Sequence, residues 1–525
     1  MIKRRVVLIA GFVTLFGGCS DFLDVNTNPN GPETVASNVY LPPMLHWLVA
    51  GSQWDGRYIG LYTQEWVSTV VNAAPATTFG RMGYDPGNDN SGQQWRDVYY
   101  TSGQNLVDMM RIAQAEERWD ILGLGYIIKA WGWQQLADLH GEIIVAEAID
   151  QTKFTFKYDT QEYAFAEVRK LLDSAVVYLS RTDGVVDAAY MARGDKIYNG
   201  DRLKWLKFAH GLRAINLGHY TNKASYDPAA VIASVDLSFV GNADDALLQF
   251  EFNSALNDAR NMQGPTRANF GNYRQSAFVV DLMDGTVFGV PDPRISRMLA
   301  PSPDGGPYQG LSPNDAGIGA LTPVAVARRP ATPYNNATAG AGLYLFDDRA
   351  RHPAMTYSQL QFIKAEAAFR MGNRTLALAA YRNAIDAHIT FVNSRITDGG
   401  QAPPPITAAE RAAFLAAPTV VPTEANLTLT HILSQKYIAQ WAWGHNELWT
   451  DMRRVHYTDI DPATGAQYYP GFVPVTPLYA ANGGKLVYRF RPRYNSEYIW
   501  NIPSLEEIGG TALDYQTKPT WIIEP

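Results

Sequence analysis

The chain has 525 residues, a formal net charge of −7, 18% charged residues and 12% aromatic residues. An acidic balance excludes nucleic acid as a natural partner, and a single cysteine excludes an internal disulfide. Its 29 tyrosines and 13 tryptophans supply amphipathic rings, which suit stacking on a ligand as well as filling a core.

Lys3, Arg4 and Arg5 precede an apolar run from Val6 to Phe16, and Gly17 and Gly18 stand immediately before Cys19. This is the pattern of an export signal with a lipidation site. The apolar run is about half of the roughly 20 residues that span a bilayer as a helix, so residues 1–18 read as a removable leader. Cys19 is expected to carry the lipid anchor, because a lone cysteine at a cleavage site is placed for acylation and several acyl chains hold a protein stably on a membrane. Leader removal takes three cations with it and makes the chain more acidic. Ser20, Asp21 and Asp24 resemble the acidic export tag of surface-exposed bacterial lipoproteins. Residues 19–40, with Asn26, Asn28, Pro29 and Asn30, read as a turn-rich tether.

From Tyr40 to Val71 the pattern turns helical, with Leu41, Met44, Leu45 and Leu48 on one stripe and Tyr58, Tyr62 and Trp66 at four-residue spacing. The breakers Pro75, Gly80, Gly83, Pro86, Gly87 and Gly92 predict a long surface loop over Ala73–Gly92, after which Trp95–Arg118 resumes helical periodicity. Trp66 and Trp95 are expected to pack. Helices are predicted at Ile121–Leu139, Glu162–Ser180 and Leu203–Tyr220, separated by glycines at 141, 184, 194 and 200. Gly, Pro, Asn and Ser then dominate from Phe252 to Asp348. Phe270, Tyr273, Phe278 and Leu282 give this stretch enough apolar surface for an irregular lobe rather than a linker. Helices return at Tyr357–Arg370, Thr375–Val392 and Leu429–Arg454. Around Gly372-Asn373, the positions of Ala365, Ala377, Tyr381 and Ala384 reproduce the small and aromatic spacing of a tetratricopeptide hairpin.

The chain is therefore expected to be mainly α, with tetratricopeptide-like helical hairpins forming a scaffold beside a large irregular loop-rich lobe. Residues 41–525 form a single domain in this reading, with scaffold over 41–251 and 353–456, lobe over 252–352 and an irregular C-terminal segment over 457–525.

Catalytic signatures are missing from the sequence: there is no Gly-x-Ser-x-Gly, His-Glu-x-x-His, phosphate loop or cysteine pair. The nine histidines are scattered, and neither His210 with His219 nor His445 with Glu447 has two-ligand spacing, so packed or surface roles are expected. Asp85–Asn90 offers oxygen ligands but lacks the phase and terminal Glu of a calcium loop. Neither a metal nor a cofactor is expected.

Several separated segments resemble the SusD/RagB family. Pro353–Ala368 is similar to the helix that opens a tetratricopeptide hairpin there, with Gln359 where an acid is usual; Ile432–Ala439 followed by Glu447–Arg454 is similar to its late Trp-x-x-x-Arg-Arg helix, with His456 in place of a glycine. Asp292-Pro293-Arg294 and Tyr494–Asn501 resemble its lobe and C-terminal motifs. The resemblance implies a cell-surface, outer-membrane lipoprotein that captures oligosaccharides, or peptides in the RagB branch. It also implies a SusC-like TonB-dependent transporter as partner and no enzymatic activity. Glu366 and Arg453 then read as scaffold residues paired within the fold. Two other readings remain: a tetratricopeptide scaffold that binds only proteins, and a helical glycan hydrolase, since two carboxylates at catalytic separation leave no motif. The family's ligand sites are built from loops, which here points to Phe79, Arg81, Tyr84 and Asn88 in one stretch, and to Asn269, Tyr273 and Arg274 in another, combining rings with hydrogen-bond donors.

Overall fold

The computed structural model describes residues 35–70, 76–251, 257–267, 269–302, 307–315, 343–398 and 403–525. The leader, Cys19, the Asp21–Asn30 tether and the polar runs at 303–306 and 334–338 lie outside the described residues. The fold is mainly helical, as the periodicity predicts. Among the described residues, no helix is long and apolar enough to cross a membrane.

Helix α1 (Leu41–Tyr62) begins with Pro42 and Pro43, whose missing N–H groups cost nothing in a first turn. Its predicted stripe of Leu41, Met44, Leu45 and Leu48 is fully buried. It is followed by α2 (Gly103–Ala115), α3 (Trp119–His140), α4 (Gln161–Ser180), α5 (Arg202–Gly218) and α6 (Pro228–Asp236). Side-chain caps fix where the later ones start: Thr160 accepts from Tyr163 N, Asp201 from Leu203 N and Lys204 N, and Asp227 from Ala230 N. Helices α3 and α4 pack along one another as an antiparallel pair, and α5 closes on both.

The second pair is α7 (Tyr357–Arg370) and α8 (Arg374–Arg395), followed by α9 (Leu429–Gln440) and α10 (His445–Arg454). Gly372, at φ +83°, makes the left-handed turn, and Asn373 then caps α8 through Leu376 N. Ala365, Ala377, Tyr381 and Ala384 are all 0% exposed. The helices approach so closely that the Ser358 hydroxyl donates to the Ala384 carbonyl at 2.8 Å.

The strands are short: β1 (Trp66–Ser68) pairs antiparallel with β3 (Tyr273–Gln275), and β2 (Ala246–Gln249) with β4 (Arg351–Met355). Three predicted elements differ. Trp66 lies on β1 rather than continuing α1, because the backbone turns at Gln64, φ +56°. The stretch Trp95–Arg118 is not one helix: a short turn at Gln93–Arg96 runs into a π-helical segment, Asp97–Ser102, before α2. The expected helix Leu429–Arg454 is split between α9 and α10, where Ala442 takes φ +73° and its N–H is held by the buried Glu65 carboxylate at 2.9 Å.

Candidate functional site

The β1–β3 ladder sets Trp66 opposite Gln275, Val67 opposite Arg274 and Ser68 opposite Tyr273, and Thr69 N extends it to the Asn272 carbonyl at 2.8 Å. Trp66 is 0% exposed; its indole N–H donates to the Arg57 carbonyl at 2.9 Å, and its ring meets Phe270 edge-on at 4.9 Å. This rigid platform backs a cleft of about 210 Å³, lined on its polar side by Ser68, Arg81, Asn314, Asp315 and Thr476. Asn314 is fixed at both ends of its amide, donating to the Pro474 carbonyl at 3.1 Å and accepting from Thr476 N at 2.7 Å. The Arg81 backbone is tied by Tyr479 N at 2.8 Å while its side chain is exposed. A cationic donor, an amide, a carboxylate and hydroxyls over a stiff base suit a hydroxyl-rich ligand.

The seven predicted ligand residues do not form one site. Arg81 is in the cleft. Phe79 and Tyr273, at 0% and 6% exposure, belong to the core: Phe79 stacks on Tyr58 at 4.3 Å and Tyr273 packs on Phe270 at 5.2 Å, so neither presents a ring face to solvent. Asn269 donates to the Met262 carbonyl at 3.1 Å, and Arg274 to the Gly271 and Tyr273 carbonyls, which keeps both on the local backbone. Tyr84 meets the C-terminal segment instead, and Asn88 stays within its own loop. The Arg491 guanidinium lies 4.3 Å from the Tyr84 ring centre, and burial pushes the Tyr84 phenol up to about 12. Asn88 accepts from Asn90 N, and Asp89 receives the Asn495 backbone and amide N–H groups and pairs with Arg493. One oxygen of Asp85 accepts from the Asn90 amide, and those of Asp89 are engaged by Asn495 and Arg493. Asn314, Asp315 and Thr476 were not singled out from the sequence, since no local pattern links residue 68 to residue 476.

The charged scaffold residues converge elsewhere. His219 bridges Asp138 at 3.0 Å and Glu447 at 2.8 Å, Lys436 joins Glu447 at 2.9 Å to Asp451 at 2.7 Å, and Arg454 holds Asp451 and Glu366. Glu366 therefore pairs with Arg454. Arg453 turns to the Asp138 and Tyr488 carbonyls and stacks on Trp449. Burial alone would pull the His219 imidazole down, but Asp138 and Glu447 outweigh it and raise it to about 10. His445, also fully buried, is bound to Glu65 at 2.9 Å.

A family model described as "Starch-binding associating with outer membrane", SusD-like, matches residues 49–479, well over half of the chain. Among solved structures, the chain is similar to a SusD/RagB family protein from Bacteroides thetaiotaomicron, with 20% identity, 93% of this chain and 99% of that one covered, and a TM-score of 0.65. A SusD homolog from Bacteroides fragilis matches at 19% identity, 94% and 100% coverage and a TM-score of 0.68. A chitin-binding SusD homolog from Flavobacterium johnsoniae matches at 19% identity, 93% and 97% coverage and a TM-score of 0.62. Comparison with the curated proteins gives no match. Members of the matched family are non-catalytic binding proteins, which removes the hydrolase reading. The chain belongs to the SusD-like family of glycan-binding proteins associated with the outer membrane.

Proposed function

We infer that this protein is a cell-surface lipoprotein that captures a neutral oligosaccharide in the cleft above Trp66 and delivers it to a SusC-like TonB-dependent transporter. The observation that carries the ligand site is the cleft itself, where Arg81, Asn314, Asp315 and Thr476 present donors and acceptors over the immobile β1–β3 platform. Family membership supports a sugar polymer, and the chitin-binding relative widens the choice beyond starch. Calorimetry with maltoheptaose and chitohexaose tests it. Arg81→Ala is expected to weaken the sugar that binds at least tenfold, about 1.4 kcal/mol, with unchanged circular dichroism; full affinity in that variant removes the cleft from the proposal.

The anchor rests on Cys19 and the leader before it. Acyl chains supply the membrane affinity, so Cys19→Ala should move the protein from the membrane to the soluble fraction and release the transporter from co-purification. Persistent membrane retention of the variant would refute the anchor.

A further inference from the structure

A second concave surface lies apart from the cleft. Its floor is built by the π-helical segment Asp97–Ser102 and its walls by residues 144–156 and the start of α11 (Tyr494–Trp500), enclosing about 790 Å³. That volume falls in the range of about 300–1,000 Å³ typical of small-molecule sites. The widened turn is a form concentrated at functional sites, and it carries two adjacent rings, Tyr99 and Tyr100. Tyr99 turns inward against Trp95, 4.8 Å away, and its hydroxyl is locked between Ile144 O at 2.7 Å and Ile144 N at 2.9 Å. Tyr100 turns outward and is 75% exposed. The groove thus presents the Tyr100 ring, with the Arg96 guanidinium 5.9 Å from its centre, on a floor pinned through Tyr99.

The hydrogen-bonding groups around that ring define the ligand class. Gln151 donates to Gln104 at 2.8 Å, which leaves the Gln104 amide N–H groups and the Gln151 carbonyl oxygen at the exposed rim. On the wall, Ser496 Oγ is withdrawn from solvent with no hydrogen-bond partner among the described residues. Three of the charges are held inside the protein, Lys153 by Glu147, Arg493 by Asp89, and Glu497 by the Tyr158 hydroxyl and Asn501 amide, while Asp150 accepts from Thr152 and the Arg96 guanidinium lies 5.9 Å from the Tyr100 ring centre. A ligand charge directed at Lys153, Arg493 or Glu497 would have to displace those partners. A neutral ligand with an apolar face and a rim of hydroxyls would not, and a pyranose ring has that form.

We propose that the groove floored by Tyr100 is a second carbohydrate site, which takes a neutral segment of the same polysaccharide that the cleft captures. The proposal rests on the oligosaccharide reading above and adds a site to it. Two sites on one rigid body raise retention on a long polymer through effective concentration, with no new contact at either. The wall is fastened where Asn501 is hydrogen-bonded to both backbone groups of Phe156, one of the groove's lining residues.

Hydrogen exchange and polymer retention, measured on the purified full-length protein, separate the outcomes. With saturating maltoheptaose or chitohexaose, amides of residues 144–156 should gain protection in the wild type and in Arg81→Ala, but not in Tyr100→Ala. Retention on insoluble starch or chitin should fall at least fivefold in Tyr100→Ala and recover in Tyr100→Phe. Tyr100 is largely exposed, so its removal should leave folding intact, and unchanged circular dichroism verifies that. Protection confined to the cleft in the wild type, with Tyr100→Ala retained normally, overturns the second site and leaves the proposed function standing. Absence of protection anywhere overturns the oligosaccharide reading, and this site with it. If Tyr100→Ala instead sheds a co-purifying membrane protein while sugar protection is unchanged, the groove is a protein-docking surface and the proposal fails.

Discussion

Trp66 reaches its place beneath the cleft because residue 60 is glycine: a Cβ there would collide with the indole ring. Overpacking a site of this kind costs about 1–3 kcal/mol, and alanine's better helix propensity, about 1 kcal/mol over glycine, offsets only part of that. Gly60→Ala should therefore lower the thermal midpoint and, by displacing the floor of the cleft, weaken sugar binding as well. Calorimetry and thermal unfolding of one preparation test both effects, and a variant with wild-type values in each would show that the ring is free to swing aside. The same scale explains why the placement of the seven candidate residues was only partly legible. Phe79 and Tyr273 carry the composition of a sugar platform, but burial depends on neighbours distant in sequence, and Tyr58 and Phe270 claim their faces. The exposure of Arg81 is legible because a cation in a glycine-rich turn has few ways to be buried. Asn314 and Thr476 act as a pair, and neither residue signals the other.

Among elements, legibility followed the length of the repeat. The α7–α8 hairpin announces itself through four spaced small or aromatic residues and a Gly-Asn turn, each of which has a geometric duty: Gly372 supplies the positive φ, Asn373 the cap, and the alanines the close approach. Breaks inside a continuous periodic run are harder to see. Nothing in the composition of Trp95–Arg118 marks the π-helical segment, which is held by a buried Asp97 accepting from Gln93 Nε2 at 2.8 Å. Burial raises the Asp97 carboxyl to about 8, against the hydrogen bonds from Gln93 and Thr101 that favour its charged form. The Leu429–Arg454 run likewise hides a break, because Trp441 to Gly444 have the apolar character of a helix while Glu65, far away in sequence, captures the backbone there. Strands of three to five residues are too short to show a period of two, and their partners lie about a hundred to two hundred residues away. The second carbohydrate groove depends on one of these unreadable breaks, since the π-helical segment Asp97–Ser102 forms its floor.

At the scale of the whole molecule, the two helical halves are joined by charge as well as by apolar packing. Asp138 comes from α3 and His219 from the turn after α5, while Glu366, Lys436, Glu447, Asp451 and Arg454 come from α7, α9 and α10. Removing one member of a buried ionic group leaves the rest undercompensated, at a cost of about 3–5 kcal/mol. His219 is the member whose charge can be titrated without unfolding the others. Its folded pKa, about 10, lies above its ordinary 6.5, so its stabilising contribution is complete below about pH 6.5 and is lost progressively as pH rises towards 10. The carboxylates of Glu366 and Glu447 work in the opposite sense. Burial alone would raise them, but Arg454 and Lys436 hold them well below the usual carboxylate range, so their contribution is present above about pH 4.5 and fades in acid. His219→Gln should therefore unfold several degrees below the wild type at pH 6, with both termini of the bridge still near a neutral amide but without the cation. As pH rises from 6 to 9.5 the unfolded chain gives up its imidazole proton while the folded protein must hold it against a falling proton activity, a term the variant lacks, so the gap between their midpoints should narrow. Thermal unfolding of the pair across that interval measures the difference directly. A gap that stays constant would mean that His219 is neutral throughout, and that Lys436 and Arg454 alone hold the two halves together.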